Sequence, residues 1–389
     1  MNPTQAGIIA LMKSAITGKG LPLPAEFSLD EAMELITSHH MTALIYQGAV
    51  TCGLPPREGT MGLLFQHYLR AMMRSEGQQR EIARIQEAFS REGIDYMLLK
   101  GSRMKNLYPA PELRYMGDAD ILIRLDQYER IVPVMESLGF TFSKESEHEL
   151  VWKSKSLYLE LHKCLIPDYN LDLYAYYGDG WQLAVPYQGS EYRMKPEDEW
   201  IFLFTHFAKH FRDGGIGCRY VGDLWVWRRH HPDMDEDYIR RVLSQMYLEE
   251  FYGNILDLID YWFCDGQGSG TLDVITQFIF SSGSWGEAEQ KLLSISVRDA
   301  RYSGSHLNGR LRYILKNAFP GLAIKSKYKI LEKAPWMLPL VWIYRPFLKI
   351  FCERKDLKNH ARNVRALNEG KVRQREDLLK LAGLDYHKS

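Results

Sequence analysis

Two aspartates separated by one alanine, Asp118 and Asp120, stand directly ahead of the apolar run Ile121-Leu122-Ile123. On an extended chain residues i and i+2 project to the same face, so the two carboxylates point together while Ala119 and Ile121 point away. Like charges this close, at the mouth of a buried strand, repel each other and resist desolvation. A hard divalent cation with oxygen ligands offsets both costs, and Mg2+ typically shares its shell with substrate phosphates. Two such ions about 4 Å apart activate an attacking oxygen and stabilise a leaving group in phosphoryl chemistry.

A third acid lies in "LYLELHKCL", residues 157–165. Glu160 alternates with Leu159 and Leu161 and shares its face with His162, so a neighbouring strand can bring it beside the aspartates. His162 reads as structural support for the acids, with a base or outer-layer role as the alternatives. Phosphates also need donors. Lys100-Gly101-Ser102 closes the apolar run "YMLL"; Gly101 permits close backbone approach, and Ser102 is placed to open a helix whose free amides hold phosphate oxygens. Lys100, Arg103 or Arg114 adds positive charge. Arg114 either binds phosphate or pairs with an aspartate, and the sequence leaves both open.

The elements that must position these groups follow from periodicity. Residues 1–90 read as a helical N-terminal region. Ser28 with Glu31 forms a capping-box pattern, and a long amphipathic stretch stops at Gly93. Residues 91–190 read strand ("IDYMLL"), helix, strand ("DADILI"), helix (ending at Gly139), then a strand pair turning at Lys153–Ser156. Residues 191–389 read as mainly helical, with Trp200, Leu203, Phe204, Phe207 and Phe211 on one stripe. The expected fold class is α+β: a small mixed-sheet core flanked by helical N-terminal and C-terminal regions.

The block "LLKGSRMKNLYPAPELRYMGDADILI" resembles that of the uncharacterised nucleotidyltransferase family, within the DNA polymerase beta-like nucleotidyltransferase superfamily. The downstream "ELH", "HFAKHF…GCRYVGDL" and "SSGSWG" are similar to the same family, and the resemblance spans about residues 30–350. It implies a polymerase-beta-like core that moves an NMP group from an NTP donor to an acceptor hydroxyl or phosphate, releasing pyrophosphate, with Mg2+ (or Mn2+) as cofactor and ATP among the candidate donors. Carried onto this chain, it implies that Asp118, Asp120 and Glu160 are catalytic and ligate metal, and that Gly101 and Ser102 hold the triphosphate. Two departures stand out. Residues 103–117 make a long spacer between Ser102 and Asp118, and the third acid is Glu where Asp is common. The alternatives are a degenerate binding or scaffold module and a transferase that modifies protein or RNA.

Other features carry weaker signals. His206 and His210, at i and i+4, match a zinc-clamp spacing, but the intervening Phe-Ala-Lys and the aromatic stripe favour a core or site-lining role. Arg219 and Asp223 are either a structural ion pair or substrate contacts. "GQGSG" at 266–270 follows a helix and not a strand, so it is no dinucleotide fingerprint, and no P-loop pattern occurs. The 389 residues carry zero formal net charge, which gives no strong nucleic-acid signal. Five scattered cysteines with no C-x-x-C spacing exclude a disulfide framework or zinc ribbon. With no secretion signal and no apolar run of about 18 residues, the expected location is cytoplasmic. Residues 334–352, apolar with basic flanks, suit either a membrane surface or a buried helix pair.

Overall fold

The computed structural model describes residues 1–146, 148–166, 171–283, 334–342 and 369–384. The N-terminal region is four helices. In α1 (Pro3–Thr17) the Asn2 side chain accepts from the Gln5 amide while the Gln5 side chain reaches back to the Asn2 amide, satisfying two orphan donors at once. In α2 (Leu29–Ser38) the Ser28 side chain accepts from the Glu31 amide, the forward half of the capping box its sequence predicts. Then come α3 (Thr42–Thr51) and the 33-residue α4 (Gly59–Arg91). The chain leaves α4 through Gly93, whose φ of +59° is one that glycine adopts at little steric cost.

One seven-stranded mixed sheet organises the core. Its strands are β1 (Tyr96–Leu99), β2 (Ala119–Ile123), β3 (Thr141–Glu145), β4 (Glu149–Lys153), β5 (Tyr158–His162), β6 (Ala184–Gln188) and β7 (Glu191–Met194). Their order is β3-β4-β5-β2-β1-β7-β6. The strands named from sequence are β1, β2, β4 and β5; β3, β6 and β7 are additions, and β7 carries the sheet on to Met194.

Between the strands run α5 (Lys100–Met104) and α6 (Tyr128–Ser137). The sheet buries one face against helices. Ile82, Ile85 and Phe89 of α4, with Ile131 and Met135 of α6, pack against Ala119, Ile121, Ile123, Leu159 and Leu161 in one apolar cluster. Period-2 alternation then sends Asp120, Glu160 and His162 to the opposite face. This placement is what the sequence reading requires of Asp120 and Glu160.

Helix α7 (Leu171–Tyr177) lies between β5 and β6, and α8 (Pro196–Asp213), α9 (Cys218–His230), α10 (Glu236–Gln245), α11 (Glu249–Phe263) and α12 (Gly270–Ser282) follow the sheet. The α8 stripe of Trp200, Leu203, Phe204, Phe207 and Phe211 is buried throughout. The architecture is therefore α+β, one mixed seven-stranded sheet flanked by helices. Internal contacts group the chain into two compact units, Met1–Phe207 with Gly217–Ser284, and Ala208–Ile216 with Trp285–Ser389. In the second unit α13 (Glu369–Leu381) carries Arg375, which donates to the carbonyls of Phe211 and Arg212 at the end of α8.

Candidate active site

The strand register builds the site. Parallel pairing of β2 with β5 sets Asp120 opposite Glu160 and Leu122 opposite His162. Antiparallel pairing of β1 with β2 sets Leu99 opposite Asp120, so Lys100 follows at the same sheet end. His162 Nε2 donates to Asp120 Oδ1 at 2.8 Å and lies 3.8 Å from Glu160 Oε2. Lys100 Nζ donates to the same Asp120 oxygen at 3.2 Å. Asp120, Glu160 and His162 each offer one ligand atom, all within 4.8 Å of one another; among the described residues this is the group suited to a metal ion. Asp118, half-buried and one residue before β2, stands outside that tightest group but within its electrostatic reach.

The charges show what the cluster lacks. Burial raises the Glu160 carboxyl, and the negative charges of Asp120 and Asp118 push it further, to about 8. Burial and Asp120 raise Asp118 in the same sense. Burial also opposes ionisation of Asp120, but Lys100 and His162 outweigh it and hold this carboxyl well below the usual range. Lys100 feels the converse: burial disfavours its charge, yet Asp120 overcomes this and raises the ammonium. One carboxylate is thus fully compensated while two others stay short of positive charge. Three clustered carboxylates with that net deficit, one of them held by the His162 imidazole, suit a divalent cation.

Lys100 carries a backbone signal as well. Its φ of +39° is in the left-handed region that a non-glycine residue enters at a cost. The distortion begins α5 at Lys100, two residues before the start expected at Ser102. Ser102 is consequently inside the five-residue helix, 5% exposed, with its Oγ 3.9 Å from Met116 Sδ. A Cβ at Gly101 would come within 2.6 Å of Arg114 Nη1 and 3.1 Å of Met116 Cγ, so the spacer 103–117 packs directly on the Lys100-Gly101-Ser102 turn. Arg103 fastens α5 to α8 through Glu199, with Nη2 2.7 Å and Nε 2.9 Å from its carboxylate oxygens.

Arg114 resolves toward pairing. It donates through Nη2 to Asp223 Oδ2 at 2.9 Å, and Tyr108 Oη donates to Asp223 Oδ1 at 2.9 Å, all buried. Arg219 lies 3.9 Å from the same carboxylate and donates to the Tyr115 carbonyl at 3.0 Å, so Arg219 and Asp223 act as structural partners for the spacer. The His206 ring sits 6.4 Å from that of Tyr220. The sequence reading missed a cavity of about 370 Å³ beside the spacer, walled in part by Ser75, Gln78, Lys105 and Arg114. No periodicity marks it, because its wall joins α2, α3 and α4 to the spacer.

No helix among the described residues is long and apolar enough to cross a membrane. Residues 343–352 of the basic-flanked apolar segment, residues 284–286 of "SSGSWG" and Cys352 lie outside the described residues. Compared with known proteins, a family model described as uncharacterised nucleotidyltransferase matches residues 25–264, more than half the chain. No curated protein and no solved structure matches at a significant level.

Proposed function

The chain belongs to the uncharacterised nucleotidyltransferase family, and from that premise we propose that it transfers an NMP group from an NTP to an acceptor hydroxyl or phosphate, with release of pyrophosphate. The observation that carries this reading is the junction of Asp120, Glu160 and His162 on two adjacent strands, with Asp118 one residue ahead. Asp118, Asp120 and Glu160 would hold Mg2+ or Mn2+, and His162 orients Asp120 through its 2.8 Å hydrogen bond. When bound, the cation neutralises phosphate charge and favours ionisation of the acceptor oxygen.

The chain's own groups do the rest. Glu160 would assist removal of the acceptor proton. Lys100 supplies a half-buried ammonium beside the site; because Arg114 and Met116 cover Gly101 and Ser102 is buried, the Lys100-Gly101-Ser102 turn would meet the triphosphate chiefly through Lys100. The acceptor oxygen attacks the α-phosphorus, the bond from that phosphorus to the oxygen bridging the β-phosphate breaks, and the electron pair leaves with pyrophosphate. Catalysis comes from in-line positioning and charge stabilisation.

Thermal denaturation with ATP, GTP, CTP or UTP, with and without Mg2+, tests the reading. A ligand bound only by the folded state raises the melting temperature by mass action. We expect a Mg2+-dependent rise with at least one NTP, lost in Asp118→Asn/Asp120→Asn. A binding or scaffold module gives no shift with any nucleotide, and that outcome overturns the assignment.

A further inference from the structure

We propose that the cavity between α2–α4 and the 105–116 spacer is a second ligand site, which binds the phosphate group of a small molecule other than the donor nucleotide. The inference does not depend on nucleotidyl transfer. None of Lys100, Asp118, Asp120, Glu160 and His162 lines this cavity of about 370 Å³, a size that suits a small phosphorylated molecule.

Three observations carry it. The wall concentrates positive charge: Arg70, Arg74 and Lys105 line it beside Arg114, which is already paired with Asp223, and Glu112 is the one acid among the described lining residues. That acid is already engaged by the Tyr68 hydroxyl at 3.0 Å. Secondly, Lys105 is 2% exposed, yet its Nζ donates to a neutral partner, Gln78 Oε1, at 3.1 Å. Burial and the Arg114 charge lower this ammonium to about 8, outweighing the opposite pull of Glu112. Thirdly, Ser75 is 4% exposed, lines the cavity, and its Oγ has no hydrogen-bond partner among the described residues. Buried hydroxyls are normally paired, so an unmatched one lining the same cavity as an ammonium with no direct carboxylate partner marks a missing acceptor. A phosphate answers both, accepting from Ser75 Oγ and Lys105 Nζ, with Arg74 at the exposed mouth.

Calorimetric titration of the full chain with inorganic phosphate, in EDTA and with ionic strength matched by NaCl, tests the proposal. We expect saturable binding, weakened at least tenfold in Lys105→Met and several-fold in Ser75→Ala and Arg74→Gln, and unchanged in Asp118→Asn/Asp120→Asn. Ser75→Ala removes a group with no partner to lose and Arg74 is exposed, so both variants keep the test open if Lys105→Met fails to fold. Pyrophosphate and ATP then separate the sources of the group. If ATP in EDTA displaces phosphate, and does so less well in Lys105→Met, the cavity takes the donor's own phosphates and the proposal fails. Absence of saturable phosphate binding, or its loss in the double aspartate variant, overturns it equally.

Discussion

Individual side chains in this protein are tuned by where charge is missing. Glu160 gives a clear pH signature. Its carboxyl in the folded state is raised from 4.5 to about 8, so the folded protein holds a proton there that the unfolded chain releases. The stability this contributes is present below about pH 4.5 and is lost as pH rises through about 8. Glu160→Gln should therefore stabilise the protein in EDTA at pH 8.5 by on the order of 1–3 kcal/mol, with little effect at pH 5, and should abolish turnover. Urea denaturation at the two pH values checks it; a destabilised variant at pH 8.5 contradicts the charge deficit. Lys105 carries the opposite sign. Its folded value, about 8, lies below the ordinary 10.5, so the unfolded chain binds more protons between them and stability rises with pH through that window. Lys105→Met should melt at or above the wild-type temperature near pH 7, and that advantage should shrink as pH rises toward about 10.

The elements around the site show which parts of the architecture sequence conveys. Strand β1 runs wholly apolar, β4 has a buried Leu-Val-Trp centre, and β2 and β5 alternate core-facing with site-facing residues, and these patterns are readable. The edge strands were not. In β3 every residue is exposed, and β6 is exposed over four of its five positions and contains Pro186, so neither has a buried face to create a period. The α5 start was misplaced because the left-handed turn at Lys100 is set by tertiary packing, and lysine gives no hint of it. The acids were legible because strand spacing fixes their face. The Asp223 pairing of Arg114 was not, because those residues meet only when the spacer folds back onto α9.

The ion pair of Arg103 with Glu199 makes its own prediction at this scale. Glu199 is 2% exposed, so Arg103→Met strands a buried carboxylate and should cost about 3–5 kcal/mol, while Arg103→Met/Glu199→Met should recover most of it. Chemical denaturation of the three proteins measures the difference; equal loss in the single and double variants would locate the cost in packing.

For the whole molecule, zero net charge removes the long-range pull that draws proteins nonspecifically to polyanions. An acceptor must then be recognised locally. We expect no retardation of random-sequence RNA in a gel-shift assay at physiological salt; tight, salt-sensitive binding would instead favour an RNA acceptor and a concentrated basic surface. The family match, at residues 25–264, covers the sheet and helices α2–α11, and apart from Ala208–Ile216 it falls in the first unit, which carries the chemistry proposed.

The central β2–β5 pairing also has a kinetic consequence. His162 and Asp120 lie 42 positions apart along the chain, and their strands run parallel, so no hairpin can zip them together. Closing that loop costs entropy before any contact rewards it, which makes this a late and slow step of folding. We expect the acids to meet only once that crossover has closed, late in folding. A divalent ion should accordingly leave the refolding rate almost untouched and act chiefly by slowing unfolding.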